Sequence, residues 1–157
     1  MSVLIRKATK ADIPALNSLL RQVLAVHHAG RPDLFKGDGK KYTDEQLEEI
    51  LSDEDMTIFV AEEDGRVCGE VFCTMERTVG ENALHDCNTL YIEDVCVDKE
   101  ARGKKVGTLL FDYVKQFAKE QGCYNMALNV WSFNEGAAKF YEKMGFKPQK
   151  TRVEYIL

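Results

Sequence analysis

Three groups of side chains in the sequence have types and spacing suited to chemistry. The first is a basic turn, Arg102-Gly103-Lys104-Lys105-Val106-Gly107-Thr108, placed between an apolar run and a helical pattern. A helix opening there offers unpaired N–H groups and the positive end of its dipole. Two glycines let a ligand approach the backbone, and three cations suit an anion such as a pyrophosphate. The turn lacks the Gly-Lys-[Ser/Thr] ending of a Walker A loop, and the dinucleotide fingerprint Gly-x-Gly-x-x-Gly is absent. A basic turn with a glycine for tight packing is the plainer reading of the same residues.

The second group is Glu93-Asp94, inside the run Leu90-Tyr-Ile-Glu-Asp-Val-Cys-Val97. That run is otherwise apolar on both parities, which predicts a strand covered on both faces. A carboxylate there is costly unless it is paired or faces a solvated cleft. Successive residues of a regular strand point to opposite faces, so only one of the two faces a substrate unless a bulge intervenes. A salt bridge to a neighbouring helix is the competing role. The third group is Tyr141, whose helical spacing with Ala137, Ala138 and Met144 reads as core on spacing alone. His27 and His28 are adjacent and do not share a helix face. Cys96 has no neighbour in sequence that lowers its pKa, so a buried thiol is expected rather than an acyl carrier.

These groups need elements to position them. Val3 to Arg6 reads as a strand. Ile13, Leu16, Leu20, Val23, Leu24 and His27 recur at helical spacing, with Thr9 or Asp12 as cap and Pro14 in the first turn. Gly30 to Gly39 is rich in turn formers and reads as a loop. Thr43-x-x-Gln46 is a capping box that opens a short helix. Strands over Met56–Glu62 and Val67–Glu76 meet at Asp64-Gly65, a hairpin signal. After the Leu90–Val97 strand comes a helix with Val106, Leu109, Leu110, Tyr113, Val114, Phe117 and Ala118 inward, ended by Gly122. Met126, Leu128 and Val130 alternate as a strand. Asn134 caps a helix ended by Gly145, and Phe146-Lys-Pro and Arg152–Leu157 read as one or two closing strands. The expected order is β-α-α-β-β-β-α-β-α-β, a single α/β domain over residues 1–157 with a mixed sheet.

Two segments carry a family resemblance. Arg102-Gly-Lys-Lys-Val-Gly107 resembles the [Gln/Arg]-x-x-Gly-x-[Gly/Ala] loop of the GCN5-related N-acetyltransferases, which bind the pyrophosphate of acetyl-coenzyme A. Asn134-Glu-Gly-Ala-Ala-Lys-Phe-Tyr-Glu-Lys-Met-Gly-Phe146 is similar to that family's Asn-x-x-[Ala/Ser]-x-x-Phe-Tyr-x-x-x-Gly-Phe segment. The likeness is specific from Leu90 to Pro148, and the element order agrees along the whole chain. Lys105 departs from the pattern, standing where the loop usually has its central glycine; ordinary helical angles are expected of it. Leu90–Val97 also resembles the matching strand of the diamine (spermidine/spermine) acetyltransferases.

The resemblance implies a mixed, mostly antiparallel twisted sheet with helices on both faces and a splayed parallel strand pair, here Leu90–Val97 and Met126–Trp131. It implies that acetyl-CoA is held by Val95, Cys96 and Val97 of the strand, by Arg102, Gly103, Lys104, Lys105, Val106, Gly107 and Thr108 of the loop, and by Asn134 and Ala137. A bulge near Asp94 or Val95 would aim a backbone N–H at the thioester carbonyl. Glu93 would take the proton of the attacking amine, directly or through water, and Tyr141 would protonate the leaving thiolate. His28, Asp33, Phe35 and Asp94 are the candidate acceptor contacts. The expected activity is direct transfer of acetyl from acetyl-CoA to a primary amine, a small polyamine-like molecule, without a metal. The alternatives are a protein or peptide amine as acceptor, or a CoA-binding sensor without turnover.

Composition sets the outer bounds. The chain has 157 residues, 21 Lys and Arg against 26 Asp and Glu, and a formal charge of −5. A basic surplus is missing, so nucleic acid is not an expected partner. No apolar run reaches the length of a membrane span, and no signal-peptide pattern opens the sequence, so a cytoplasmic protein is expected. Five cysteines without a Cys-x-x-Cys pair argue against a disulfide framework or a zinc site. Arg152–Leu157 alternates apolar and polar residues with no element to cover it, from which a homodimer through a C-terminal strand is expected.

Overall fold

The computed structural model describes residues 2–157. Strand β1 (Val3–Lys7) leads through a 3-10 turn into helix α1 (Ile13–Gly30), and α2 (Asp44–Ser52) follows. Strands β2 (Met56–Glu63), β3 (Arg66–Thr78) and β4 (Cys87–Val97) come next, then α3 (Val106–Glu120), β5 (Asn125–Leu128) and α4 (Glu135–Lys143). The five strands lie side by side in sequence order. All neighbours are antiparallel except β4 and β5, which are parallel.

Local chemistry accounts for most of the element ends. Thr43 Oγ1 accepts from Gln46 N at 3.1 Å, and Gln46 Oε1 accepts from Thr43 N at 2.9 Å, the reciprocal pair that starts α2. Pro14 falls in the first turn of α1, where its missing N–H costs nothing. The turn between β2 and β3 places Asp64 at φ 52° and Gly65 at φ 76°, the two left-handed residues that match hairpin twist. Asp12 does not cap α1 with its side chain. Instead Arg6 grips it at both oxygens, at 2.8 and 2.9 Å, and Thr9 N donates to it at 2.7 Å, which ties β1 to the start of α1.

Each sheet face carries its own core. On one face α3 lays Val106, Leu110, Phe111, Val114 and Ala118 over Val71, Cys73, Leu90 and Ile92. On the other, α1 and α2 cover Ile58, Val60 and Phe72 with Ile13, Leu16, Leu20, Leu47 and Ile50. Leu109 and Tyr113 are partly exposed, because the buried line of α3 follows the four-residue step from Val106 and is widened by Phe111.

Three further expectations fail. The closing strands are absent: Lys147 to Leu157 belong to no helix or strand, and Val153, Tyr155, Ile156 and Leu157 are 74–112% exposed. The alternation that reads as a strand is present, but the segment pairs with neither edge strand of the sheet, β1 or β5, and stays exposed. Its one ion pair to that body is Arg31 Nη1 to Glu154 Oε1, 2.7 Å. The second failure is Lys105, which adopts φ 63°, ψ 20°, the left-handed region, and not helical angles. The chain turns sharply from the loop into α3, and that turn needs the conformation a glycine gives freely. β5 is also shorter than expected; it ends at Leu128, and Val130 is 42% exposed.

The left-handed lysine makes a stability prediction. A side chain in that region costs about 1–2 kcal/mol, part of which glycine returns as chain entropy. Lys105→Gly should therefore stabilise the fold by about 0.5–1 kcal/mol, raising Tm by about 2–4 °C in a thermal melt. An unchanged or lower Tm would show that the turn holds no strain.

Asp12 makes a second prediction, about acid. The hydrogen bonds from Arg6 hold its carboxyl below the usual range, burial opposing them. A carboxylate lowered on folding adds stability above its unfolded pKa, near 4, and loses it as pH falls through the folded value. Asp12→Asn should cost about 1–3 kcal/mol at pH 7, and the gap to the native chain should close in melts taken toward pH 2.

Candidate functional site

The site begins with one extra residue in β4. Across the β3–β4 ladder Cys73 faces Ile92, and the next residue of β3, Phe72, faces Asp94. Glu93 is the residue inserted between them, a β-bulge one position before the expected one. Its effect follows from alternation. Thr74 and Phe72 share the face of β3 under α1, and Thr74 Oγ1 donates to Glu93 Oε1 at 3.3 Å. Asp94, opposite Phe72, lies on that face too. The bulge thus turns two successive carboxylates to one side of the sheet.

The parallel ladder ends at the same level, where Ile92 pairs with Leu128. Beyond it Asp94–Val97 pair with β3 alone, while the chain after β5 carries on as Asn129–Trp131 without a partner strand. A wedge therefore opens between the two chains. Asn129 Nδ2 donates to Tyr91 Oη at 3.0 Å and spans the mouth of the wedge.

The basic loop stands at the far end of β4. Asp98 caps a 3-10 turn over Lys99–Ala101, accepting from Glu100 N at 3.0 Å. Arg102 Nε donates to the last carbonyl of β4, Val97 O, at 3.4 Å. Gly103 at φ 86° and Lys105 at φ 63° then bend the chain so that the N–H groups of Val106, Gly107 and Thr108 open α3 without intrahelical acceptors. Lys104 Nζ lies 3.6 Å from Glu63. Gly107 has a packing reason to be glycine: a Cβ there would meet the Phe140 ring of α4 at 3.1 Å. That close approach packs the middle of α4 on the first turn of α3, and because β4 and β5 are parallel, the chain leaves both at the same end of the sheet. Asn134 caps α4, its Oδ1 accepting from Ala137 N at 3.2 Å. The loop cations, the first turn of α3 and the Asn134–Ala137 cap therefore share one end of the sheet. Cys96 joins them only through its backbone, since its side chain is buried and burial pushes the thiol well above its usual range.

Lys41, from the loop after α1, organises the carboxylates. Its Nζ donates to Glu93 O at 2.8 Å and lies 3.9 Å from Glu93 Oε2. Tyr42 beside it stacks on Phe72, ring centres 5.3 Å apart. Tyr141 packs against Phe111, Phe140 and Phe146 from the α3 side. Burial first, then the neighbouring carboxyl groups of Asp94 and Glu70, push its hydroxyl up to about 12. It is therefore a neutral phenol across the physiological range, with a proton to give. Glu93 is not among the charges that act on it.

An aromatic wall closes the α1 side. The His27 ring lies 4.9 Å from Phe35 and 6.4 Å from both Trp131 and Phe133. Phe133 presses on Gly30 so closely that a Cβ would sit 2.2 Å from its ring. His27 is held below its usual pKa, mainly by burial. Of the remaining candidates, Phe35 is part of this wall. His28 Nδ1 donates to Phe35 O at 2.8 Å, and Asp33 is gripped by Arg31 at 2.9 Å on both oxygens, so both shape the loop. Sequence reasoning did not single out Lys41, Thr74, Trp131, Phe133 or Glu70. Only Glu70 left a trace in the sequence, a lone carboxylate in the run Val67 to Cys73.

No group of three or more metal-ligating side chains occurs among the described residues, and no helix is long and apolar enough to cross a membrane. The chain is similar to a probable N-acetyltransferase, camello, of Xenopus tropicalis, 29% identical over 153 residues, which covers 94% of this chain and 65% of the relative. It is 34% identical over 104 residues to glucosamine 6-phosphate N-acetyltransferase of Arabidopsis thaliana, covering 65% of this chain and 66% of that one. Against these curated relatives the chain thus spans just under two thirds of their length. Among solved structures it resembles a tetramutant of the BH1408 protein from Bacillus halodurans, with a TM-score of 0.94, 28% identity, and coverage of 98% and 99% of the two chains. The model of the acetyltransferase (GNAT) family matches residues 23–146, well over half the sequence, and the chain belongs to that family.

Proposed function

We propose that the protein is an acetyl-CoA-dependent N-acetyltransferase that passes the acetyl group directly to a primary amine on a small cationic molecule. The observation that carries this reading is the wedge between β4 and β5, with cations and free N–H groups at one end and a carboxylate pair and a neutral phenol beside its mouth. The Arg102–Thr108 loop suits the pyrophosphate, and Val95, Val97, Asn134 and Ala137 line the path of the pantetheine arm. Glu93 takes a proton from the ammonium, and the free amine attacks the thioester carbonyl. As the C–S bond breaks, Tyr141 gives its proton to the sulfur and regains one from the new amide nitrogen. The sum is one amide, one thiol and one proton released. Asp94 and Glu93 beside an aromatic wall favour a cation over the sugar phosphate named for the Arabidopsis relative, because an anionic acceptor would meet two carboxylates.

Tyr141→Phe should lower kcat by about 10²–10⁴-fold while calorimetry finds acetyl-CoA affinity within about twofold of native. Glu93→Gln should lose rate mainly on the low-pH side, where the amine is hardest to deprotonate. Near-full kcat in both variants, measured as thiol release with a panel of amines, would remove these roles. Binding of acetyl-CoA with no turnover of any amine would instead favour a sensor.

We also infer a cytoplasmic homodimer. Five free cysteines fit a reducing compartment. The exposed Val153, Tyr155, Ile156 and Leu157 make a sticky strand-like segment that a second copy can cover. Light scattering at micromolar concentration should give a dimer, and a chain ending at Lys150 should run as a monomer. A full-length monomer would refute the assembly.

A further inference from the structure

Glu70 lies in the middle of β3 with no exposed surface, and Asp94 is 8% exposed. No N–H or O–H group among the described residues reaches either carboxyl oxygen of Glu70, or Oδ2 of Asp94. The β3–β4 register sets Glu70 opposite Cys96 and Phe72 opposite Asp94, so Glu70 and Asp94 are diagonal neighbours on the α1 face. Diagonal Cβ atoms lie roughly 7–8 Å apart or less, and two carboxyl ends bridge that gap. Two carboxylates this close in a buried site do not both ionise. A proton between them is the missing donor for both. It sits on Glu70, which burial first and then Asp94 hold far above the usual range. The other titratable groups near the pair are Cys73 from β3, Cys96 and Glu93 from β4, His27 from α1, Lys41 and Tyr42 from the loop after α1, and, from the α3 side, Tyr141 of α4.

We propose that Glu70 and Asp94 share one proton, and that the single charge of this pair, presented at Asp94, is the site that holds the acceptor's ammonium beside the wedge. The proton from Glu70 fills the buried Oδ2 of Asp94, which leaves the other oxygen of Asp94 to take an acceptor N–H. Glu70 is a positioning residue. Its O–H fixes the Asp94 carboxyl and keeps the pair at one negative charge. No bond is made or broken at the pair; the acceptor's proton still leaves through Glu93. Trp131 and the His27–Phe35 wall stand on the same side and suit the alkyl stem of such an amine.

The ammonium site rests on the reading of the chain as an amine acetyltransferase; the shared proton does not. Infrared spectra of the whole protein at pH 7 should show a protonated carboxyl that is lost in both Glu70→Gln and Glu70→Met. With 1,4-diaminobutane as the probe, Glu70→Met and Asp94→Asn should raise its KM at least tenfold, with kcat and the KM for acetyl-CoA within about twofold. Glu70→Gln keeps a donor and should restore the KM, which a role in packing alone would not distinguish from Glu70→Met at matched Tm. If no amine is turned over, calorimetric binding of 1,4-diaminobutane replaces KM and the infrared arm is unaffected. A carboxyl band missing at pH 7, or equal losses in the Gln and Met variants, would overturn the proposal.

Discussion

A strand can turn two successive side chains to one face only if a residue is inserted in it, and in β4 that residue is Glu93. Without the insertion, Glu93 and Asp94 would straddle the sheet, one of them driven into the apolar layer under α3. With it, both lie under α1, where Thr74, Lys41 and Glu70 already stand. The same irregularity falls where β5 stops following β4. A parallel partner needs an even ladder, and a bulge interrupts one. Opening of the wedge and collection of the carboxylates thus occur at one level of the sheet.

Charge is distributed along the wedge in a way that net composition hides. The chain is acidic overall, yet Arg102, Lys104 and Lys105 gather at the start of α3, where the helix dipole adds to them. The carboxylates lie at the bulge itself, on the α1 face of the sheet. An anionic group is thereby favoured at the loop and a cationic one at the bulge before any contact is specific. Lys41 limits the local excess of negative charge, lying beside Glu93 and acting on Glu70.

Much of this was legible in the residues. Caps, the Asp64-Gly65 turn and the four-residue apolar step of α3 are local codes, and the elements appear where those codes place them. The basic loop and the Asn134 cap were legible for the same reason. Three features were not. Glu70 pairs with Asp94 only through the register of two strands, and a lone glutamate in a strand pattern reads equally well as an outward residue. The angles of Lys105 are imposed by the entry into α3, against the preference of the side chain itself. Arg152–Leu157 has the alternation of a strand, but alternation names a face and not a partner, and within the described chain there is none.

That last segment bears on how the two halves of the sheet differ. β2, β3 and β4 hold the buried strand positions, whereas β5 is only half buried at every position and α4 has no buried residue. Val130 and Trp131 just after β5 are exposed, and so are Val153, Tyr155, Ile156 and Leu157 of the C-terminal segment. The well-buried strands β3 and β4 thus carry the carboxylates and the bulge, and the half-buried β5, which stops at the level of the bulge, forms the other side of the wedge.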